Sequence, residues 1–389
     1  MSDPLLLFGA DRIITGVVED PVVKGDGVLL DANKVRAVGW RDDIDPGGSI
    51  RRLDVCGGVI TPGLVDPHTH PVLGDYTPRQ NTTGWIANYL HGGVTTLISA
   101  GETHWPGRPK SAVGAKAMTI AACLSSATLR PGGAKLHGGA LLLEHGLEEQ
   151  DFDEMNAAGV RLLGEVGLGG VIEPDELLPM VGWARARGWT IPMHVGGASV
   201  PGSNVVDAEM TLAVQPDVAS HLNGGPTARP IDEIRKIIEG TAAAVEVVQA
   251  GNLSALVAIV TLLRERQEET RLQVATDTPS GTGVIPLGML RTISTCVALG
   301  GLDPEVAICC ATGSTAARYG LETGRLLPGR PADVVVLHAP VGGATATAVD
   351  ALRVGDTPAV ALAVVDGEVQ VTRSRMTPPP LYDVRSVDV

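Results

Sequence analysis

A chain of 389 residues has room for one large domain and a smaller one, and 44% hydrophobic residues supply the material for a continuous core. A formal net charge of −14 with no Lys/Arg stripe argues against a nucleic-acid partner, yet leaves open an anionic small molecule held by a local arginine. Five scattered cysteines, no CxxC pair, no uncharged apolar run of membrane-spanning length and no signal-peptide pattern at the N-terminus lead to the expectation of a cytoplasmic protein that does not engage membranes.

Residues 5–58 read as short strands separated by polar turns, as in LLLFGADRII and GDGVLLDANKVRAVG. From about 60 the texture changes. Apolar strand candidates fall near 63–68, 94–99, 135–138, 160–165, 190–194, 217–221, 245–249 and 272–277. Helical stretches lie between them, at 111–127, 174–188, 228–240 and 253–270. Eight strand candidates alternating with helices predict an α/β fold, a TIM-like (β/α)8 barrel over residues 60–330. An open doubly wound sheet is the alternative, and the missing glycine-rich dinucleotide turn after the first strand speaks against it. Beyond 331 short strands return in ADVVVLHAP and AVALAVVDGEVQVTR, with a hairpin signal at Asp366-Gly367. Residues 1–59 and 331–389 are therefore expected to build one small discontinuous β-sandwich domain, with an extended arm after about 375.

Polar residues fall at the ends of the predicted barrel strands. His68 and His70 end the first, Glu165 the fourth, His194 the fifth, His221 the sixth and Asp277 the eighth. In a barrel those C-terminal ends converge on one face. His68 and His70 are two residues apart, so on a strand their side chains share a face. Imidazole nitrogen suits zinc, iron, cobalt or nickel. Four histidines, one aspartate and one glutamate exceed what a single tetrahedral zinc with an open position takes. A glutamate between two histidine groups can bridge two ions, which lie about 3.5–4 Å apart in typical two-metal sites, and a hydroxide between them is a strong nucleophile at neutral pH. Asp277 is placed to ligate one ion and also to carry a proton. The alternative makes Glu165 a carboxylate that orients a metal-bound histidine beside a single ion.

Four further residues are candidates for substrate contact: Arg79, His104, Arg108 and His137. An arginine fork pairs with both oxygens of a substrate carboxylate, although each arginine has a surface role as its alternative. Lys135 is placed too deep for the catalytic face, and His91, His145 and His338 read as structural.

TPGLVDPHTHP (61–71), HGGVTTLISAGE (91–102) and ATGSTAARYGLETGRLLPGRPADVVVL (311–337) resemble the amidohydrolase superfamily, and the resemblance covers nearly the whole chain. It implies that His68, His70 and Asp277 hold the more buried ion and that His194 and His221 hold the second. Many members with two metals bridge them through a carboxylated lysine; Glu165 stands there instead, which argues against the dihydroorotase and hydantoinase type. Within the superfamily, EVGLGG (165–170), HVGG (194–197), HLNGG (221–225) and DTPSGTGVIPLG (277–288) are similar to the enamidases. That likeness implies a zinc/iron pair bridged by glutamate and a homotetramer. It also implies hydrolysis of the cyclic amide of 6-oxo-1,4,5,6-tetrahydronicotinate to ammonia and 2-formylglutarate, as in nicotinate degradation. A prolidase-, imidazolonepropionase- or deaminase-like hydrolase is the rival enzyme. A non-catalytic metal-binding protein is the other rival, and the complete ligand set argues against it.

Overall fold

The structure is a computed structural model that describes residues 4–71, 82–102, 107–197, 204–225, 227–279 and 283–387. Arg79, His104 and residues 281–282 of the loop past Asp277 lie outside the described residues.

The barrel strands are Leu64–Thr69, Val94–Ser99, Lys135–His137 continued by Ala140–Leu141, Leu162–Leu163, Pro192–His194, Val218–Ser220, Ala244–Val248 and Leu272–Ala275. Neighbours pair in parallel. Single bridges join the fourth strand to the fifth at Leu162–Thr190 and Val166–Met193, and Thr69–Thr278 closes the last strand onto the first. This is the closed barrel rather than the open sheet.

Local chemistry explains the helices between the strands. Ala112–Thr128 starts where the Ser111 side chain accepts from the Gly114 amide, and Leu253–Glu265 where Asn252 accepts from Ala255. Pro174–Ala186 opens on proline, whose missing N–H has no intrahelical partner to lose. Ile231–Gly240 buries Ile234, Ile237 and Ile238 along one stripe, against a core that includes Val245 and Val247.

Three elements differ from the pattern the sequence predicts. The third strand is broken at Gly138–Gly139, where Gly139 has φ +85° and a Cβ would come within 2.5 Å of the Cys123 Cβ on the neighbouring helix. Its fourth neighbour is a ladder strand only at Leu162–Leu163. The helix expected to reach 270 stops at Glu265, because Gln267 takes the left-handed conformation at φ +56°.

Two sheets flank the barrel. One holds Leu5–Phe8, Gly27–Asp31, Lys34–Gly39, Arg51–Asp54 and Arg385–Ser386; the other holds Arg12–Ile14, Val22–Val23, Val59–Pro62, Val334–His338, Ala359–Val365 and Glu368–Val371. Leu5, Leu7, Val28, Leu30, Ile60, Val334, Val336 and Leu362 belong to one apolar cluster spanning both sheets. Asp366 and Gly367, at φ +50° and +79°, turn the last hairpin of the second sheet. Val59–Pro62 pairs antiparallel with Val334–His338, and the Gly63 amide donates to the Asp333 carbonyl at 3.0 Å. The first barrel strand starts one residue later, so both ends of the chain set where His68 and His70 emerge. No described helix is long and apolar enough to cross a membrane.

Candidate metal centre

The structure gathers His68, His70, Glu165, His194, His221 and Asp277 at one end of the barrel. Glu165 is at the middle. Its Oε2 lies 3.2 Å from His68 Nε2 and 3.6 Å from His70 Nε2, while its Oε1 lies 2.7 Å from His221 Nε2 and 3.6 Å from His194 Nδ1. Each carboxylate oxygen addresses one histidine pair. Asp277 Oδ1 stands 3.4 Å from His70 Nε2 and 3.6 Å from His68 Nε2. Two groups of three therefore bring ligand atoms within 4.8 Å of one another: His68, Glu165 and His221, and His68, His70 and Asp277.

Backbone geometry aims these side chains. His221 and Asp277 both take positive φ, +32° and +56°, which is costly for residues other than glycine and places them off the ladder direction. The Asp277 amide donates to the His68 carbonyl at 3.0 Å, so the last strand end is tied to the first. His70 is oriented by its Nδ1, which donates to the Gly101 carbonyl at 3.0 Å and leaves Nε2 to face the centre.

Electrostatics in the cluster favour a cation. Burial pushes Asp277 up, but the charge of His68, the hydrogen bond from His70 and the charge of His221 outweigh it and hold the carboxyl at about 2. Glu165 is likewise held well below the usual carboxylate range, against burial, by His68 and His221. Burial opposes a charged His68, yet Glu165, Glu246 and Asp277 hold its imidazole well above its ordinary value. The field that favours a protonated ring there favours a metal ion equally. His68 Nε2 and Glu165 Oε1 are buried, and although other groups of the cluster stand close, no well-aligned hydrogen bond satisfies either. The donor set and these orphaned atoms fit divalent metal.

No family model matches the sequence. The chain is 44% identical over 368 residues to the enamidase of Eubacterium barkeri, covering 95% of each protein. It superimposes on the crystal structure of enamidase, described as a new member of the amidohydrolase superfamily, with a TM-score of 0.95 and 42% identity over 99% of this chain and 100% of that one. The chain belongs to the enamidase family of the amidohydrolase superfamily. An adenine deaminase from Ruegeria sp. (strain TM1040) is 26% identical over 330 residues, 81% of this chain and 51% of that protein. A putative prolidase from Bifidobacterium longum shares the fold, with a TM-score of 0.64 at 19% identity.

In this amidohydrolase the other described sequence candidates are not members of the two groups of three. Arg108 pairs with Glu144, Nη1 to Oε1 at 2.6 Å, and the two side chains are 9% and 2% exposed. Glu144 is held in turn by the Gly170 amide at 3.2 Å, just past Glu165 in the chain. His137 lines a separate cavity whose wall includes none of the six clustered residues. Lys135 Nζ sits between Asp333 and Asp366, at 2.8 and 2.7 Å. His145 pairs with Glu176 and His338 donates to the Val55 carbonyl.

Two carboxylates near the cluster escaped the sequence reading. Glu246, on the seventh strand, is fully buried; its Oε1 accepts from His68 Nδ1 at 2.7 Å and from the His221 amide at 2.9 Å. That holds a proton on His68 Nδ1 and turns Nε2 toward Glu165. Its one sequence signal was a charge inside an apolar strand, AVEVV. Asp66 accepts from the His68 and Thr276 amides, both at 3.2 Å, and from the Thr276 hydroxyl at 2.5 Å. Burial raises its carboxyl to about 7 in spite of those bonds.

Proposed function

We propose that this enzyme opens the ring of 6-oxo-1,4,5,6-tetrahydronicotinate and releases ammonia and 2-formylglutarate, using two divalent metal ions held by His68, His70, Glu165, His194, His221 and Asp277. Hydrolysis of a cyclic amide at a metal site is the activity of its family type. The observation that carries the two-metal reading is Glu165, one oxygen toward His68 and His70 and the other toward His194 and His221. Zinc and iron both suit this mixture of imidazole and carboxylate.

When bound, such a pair supplies Lewis acidity toward an amide carbonyl and lowers the pKa of water. The protein residues do the positioning and proton transfer. Asp277 is 15% exposed, against 1–7% for the other five side chains, so it faces the volume that substrate and water enter. It accepts the proton that water loses as the new C–O bond forms, and returns it to the ring nitrogen as the C–N bond breaks. The first water leaves a carboxylate and an enamine. A second water converts the enamine to the aldehyde and ammonia. Arg108, with Glu144 steadying one nitrogen of its fork, is our candidate partner for the ring carboxylate. Assembly as a homotetramer belongs to the same reading and is checked by light scattering.

The test is elemental analysis of protein purified without chelator, with ammonia release from 6-oxo-1,4,5,6-tetrahydronicotinate followed on the same sample. Two metals per chain with ammonia supports the proposal. Two metals without ammonia from this lactam, but with turnover of another, discards the named substrate. One metal at full loading moves Glu165 to an orienting role, since His68, His70 and Asp277 form a set by themselves.

A further inference from the structure

The break in the third barrel strand opens the barrel wall. Lys135–His137 pairs with the second strand, whereas Ala140–Leu141 pairs with the fourth. On the N-terminal side of Gly138–Gly139 the ladder to the fourth strand is missing, and a cavity of about 430 Å³ occupies the gap. Ile98, Leu136, Leu162 and Leu321 make its apolar surface, together with the ring of Tyr319. Arg130, Lys135, His137 and Arg161, with Ser126 and Thr190, make its polar surface, and among the described residues no carboxylate lines it.

An acid-free basic cavity runs against the composition of a chain with 44 acidic and 30 basic residues. Lys135 is neutralised from behind by Asp333 and Asp366. Among the described residues no carboxylate pairs with Arg130 or Arg161. The oxygens they meet are neutral: Arg130 Nη1 donates to the Ser126 and Leu129 carbonyls, and Arg161 Nη1 to the Asn156 side chain and the Asn156 and Val160 carbonyls. Each binds through one nitrogen of its fork, which anchors the guanidinium at a helix end without cancelling its charge. The Arg130 charge reaches the cavity: desolvation, then Arg130 and Lys135, hold the imidazole of the solvent-exposed His137 down at about 4. At neutral pH His137 is therefore an uncharged ring with one N–H to donate.

We propose that this cavity is a binding site for a small organic carboxylate, distinct from the metal centre, with the carboxylate on Arg130 and Arg161 and the apolar body against Leu136, Leu162 and Tyr319. The arginine forks suit a planar anion, and the apolar wall selects against inorganic ions.

Benzoate titrated calorimetrically into the metal-loaded enzyme near neutral pH is the probe. Saturable binding is expected, weakened about ten-fold by Arg130→Ala and by Arg161→Ala, the loss of one charge-assisted contact in each. Arg318→Ala, in a neighbouring open cleft, is expected to leave binding unchanged. Ammonia release in the Arg130 and Arg161 variants should match the parent. Crystals soaked in 4-bromobenzoate should place bromine in the gap beside Gly138–Gly139. Absence of saturable binding, affinity in both variants equal to that of the parent, or bromine only at the metal centre overturns the proposal. If either alanine variant fails to fold, the bromine position decides.

Discussion

Glu246 sets a single oxygen against two residues of the cluster on different strands, the His68 ring and the His221 backbone. Replacing it by glutamine keeps the size but turns one acceptor into a possible donor and frees the His68 tautomer. Glu246→Gln is expected to lower metal affinity about 10–100-fold, measured as metal retained per chain against a competing chelator, with Glu246→Asp partly restoring it. On the proposed mechanism Asp277→Asn removes the proton carrier as well as a ligand oxygen, and turnover should fall about 10²–10⁴-fold. Ammonia release at saturating metal is the measurement, so that weaker loading is not mistaken for lost chemistry. That the histidines and Asp277 would gather was legible in the sequence, because they stand at the ends of predicted strands and a barrel brings those ends together. Glu246 was not, because its partners lie 178 and 25 residues away and nothing in AVEVV points to them.

At the scale of elements, the fourth strand shows how a site bends its scaffold. The sequence predicts a strand to 165, but the Glu165 amide donates to Ala100 and the Val166 amide to Pro192, so this end is shared between two neighbours rather than held in one ladder. Gly169 then passes so close to the third strand end that a Cβ would stand 2.0 Å from the Leu143 carbonyl oxygen. Gly169→Ala must displace backbone and is expected to cost about 1–3 kcal/mol, read from urea denaturation, with activity falling because Glu165 lies four residues earlier. In the first sheet, Arg52 holds Asp45 through two bonds of 2.7 and 2.9 Å. The Arg52 hydrogen bond keeps the Asp45 carboxyl at about 2, below its ordinary 3.8. A depressed carboxyl stabilises the fold above its unfolded value and loses that contribution as pH falls through the folded one. The stability gap between the parent and Asp45→Asn should therefore be constant above about pH 5 and close between about pH 4 and pH 2. Denaturation midpoints across that range check it.

For the molecule as a whole, the six clustered groups are a liability without an ion, since carboxylate and imidazole lone pairs are buried together. Dialysis against a chelator is expected to lower the unfolding temperature, and added zinc to restore it. The difference corresponds to about 3–4 kcal/mol when free metal exceeds Kd a hundred- to thousand-fold. The same scale separates what the chain discloses by itself from what folding adds. Alternation of strand and helix, the Asp366-Gly367 turn and the placing of histidines and carboxylates at strand ends were readable from the sequence, because periodicity, turn conformation and residue chemistry are local properties. Glu165 facing both histidine pairs, the engagement of Arg108 by Glu144, and the opening where the third strand parts at Gly138–Gly139 were decided by tertiary structure. Each depends on which distant surfaces pack together, and that is set by close packing and the satisfaction of buried polar groups across the whole barrel.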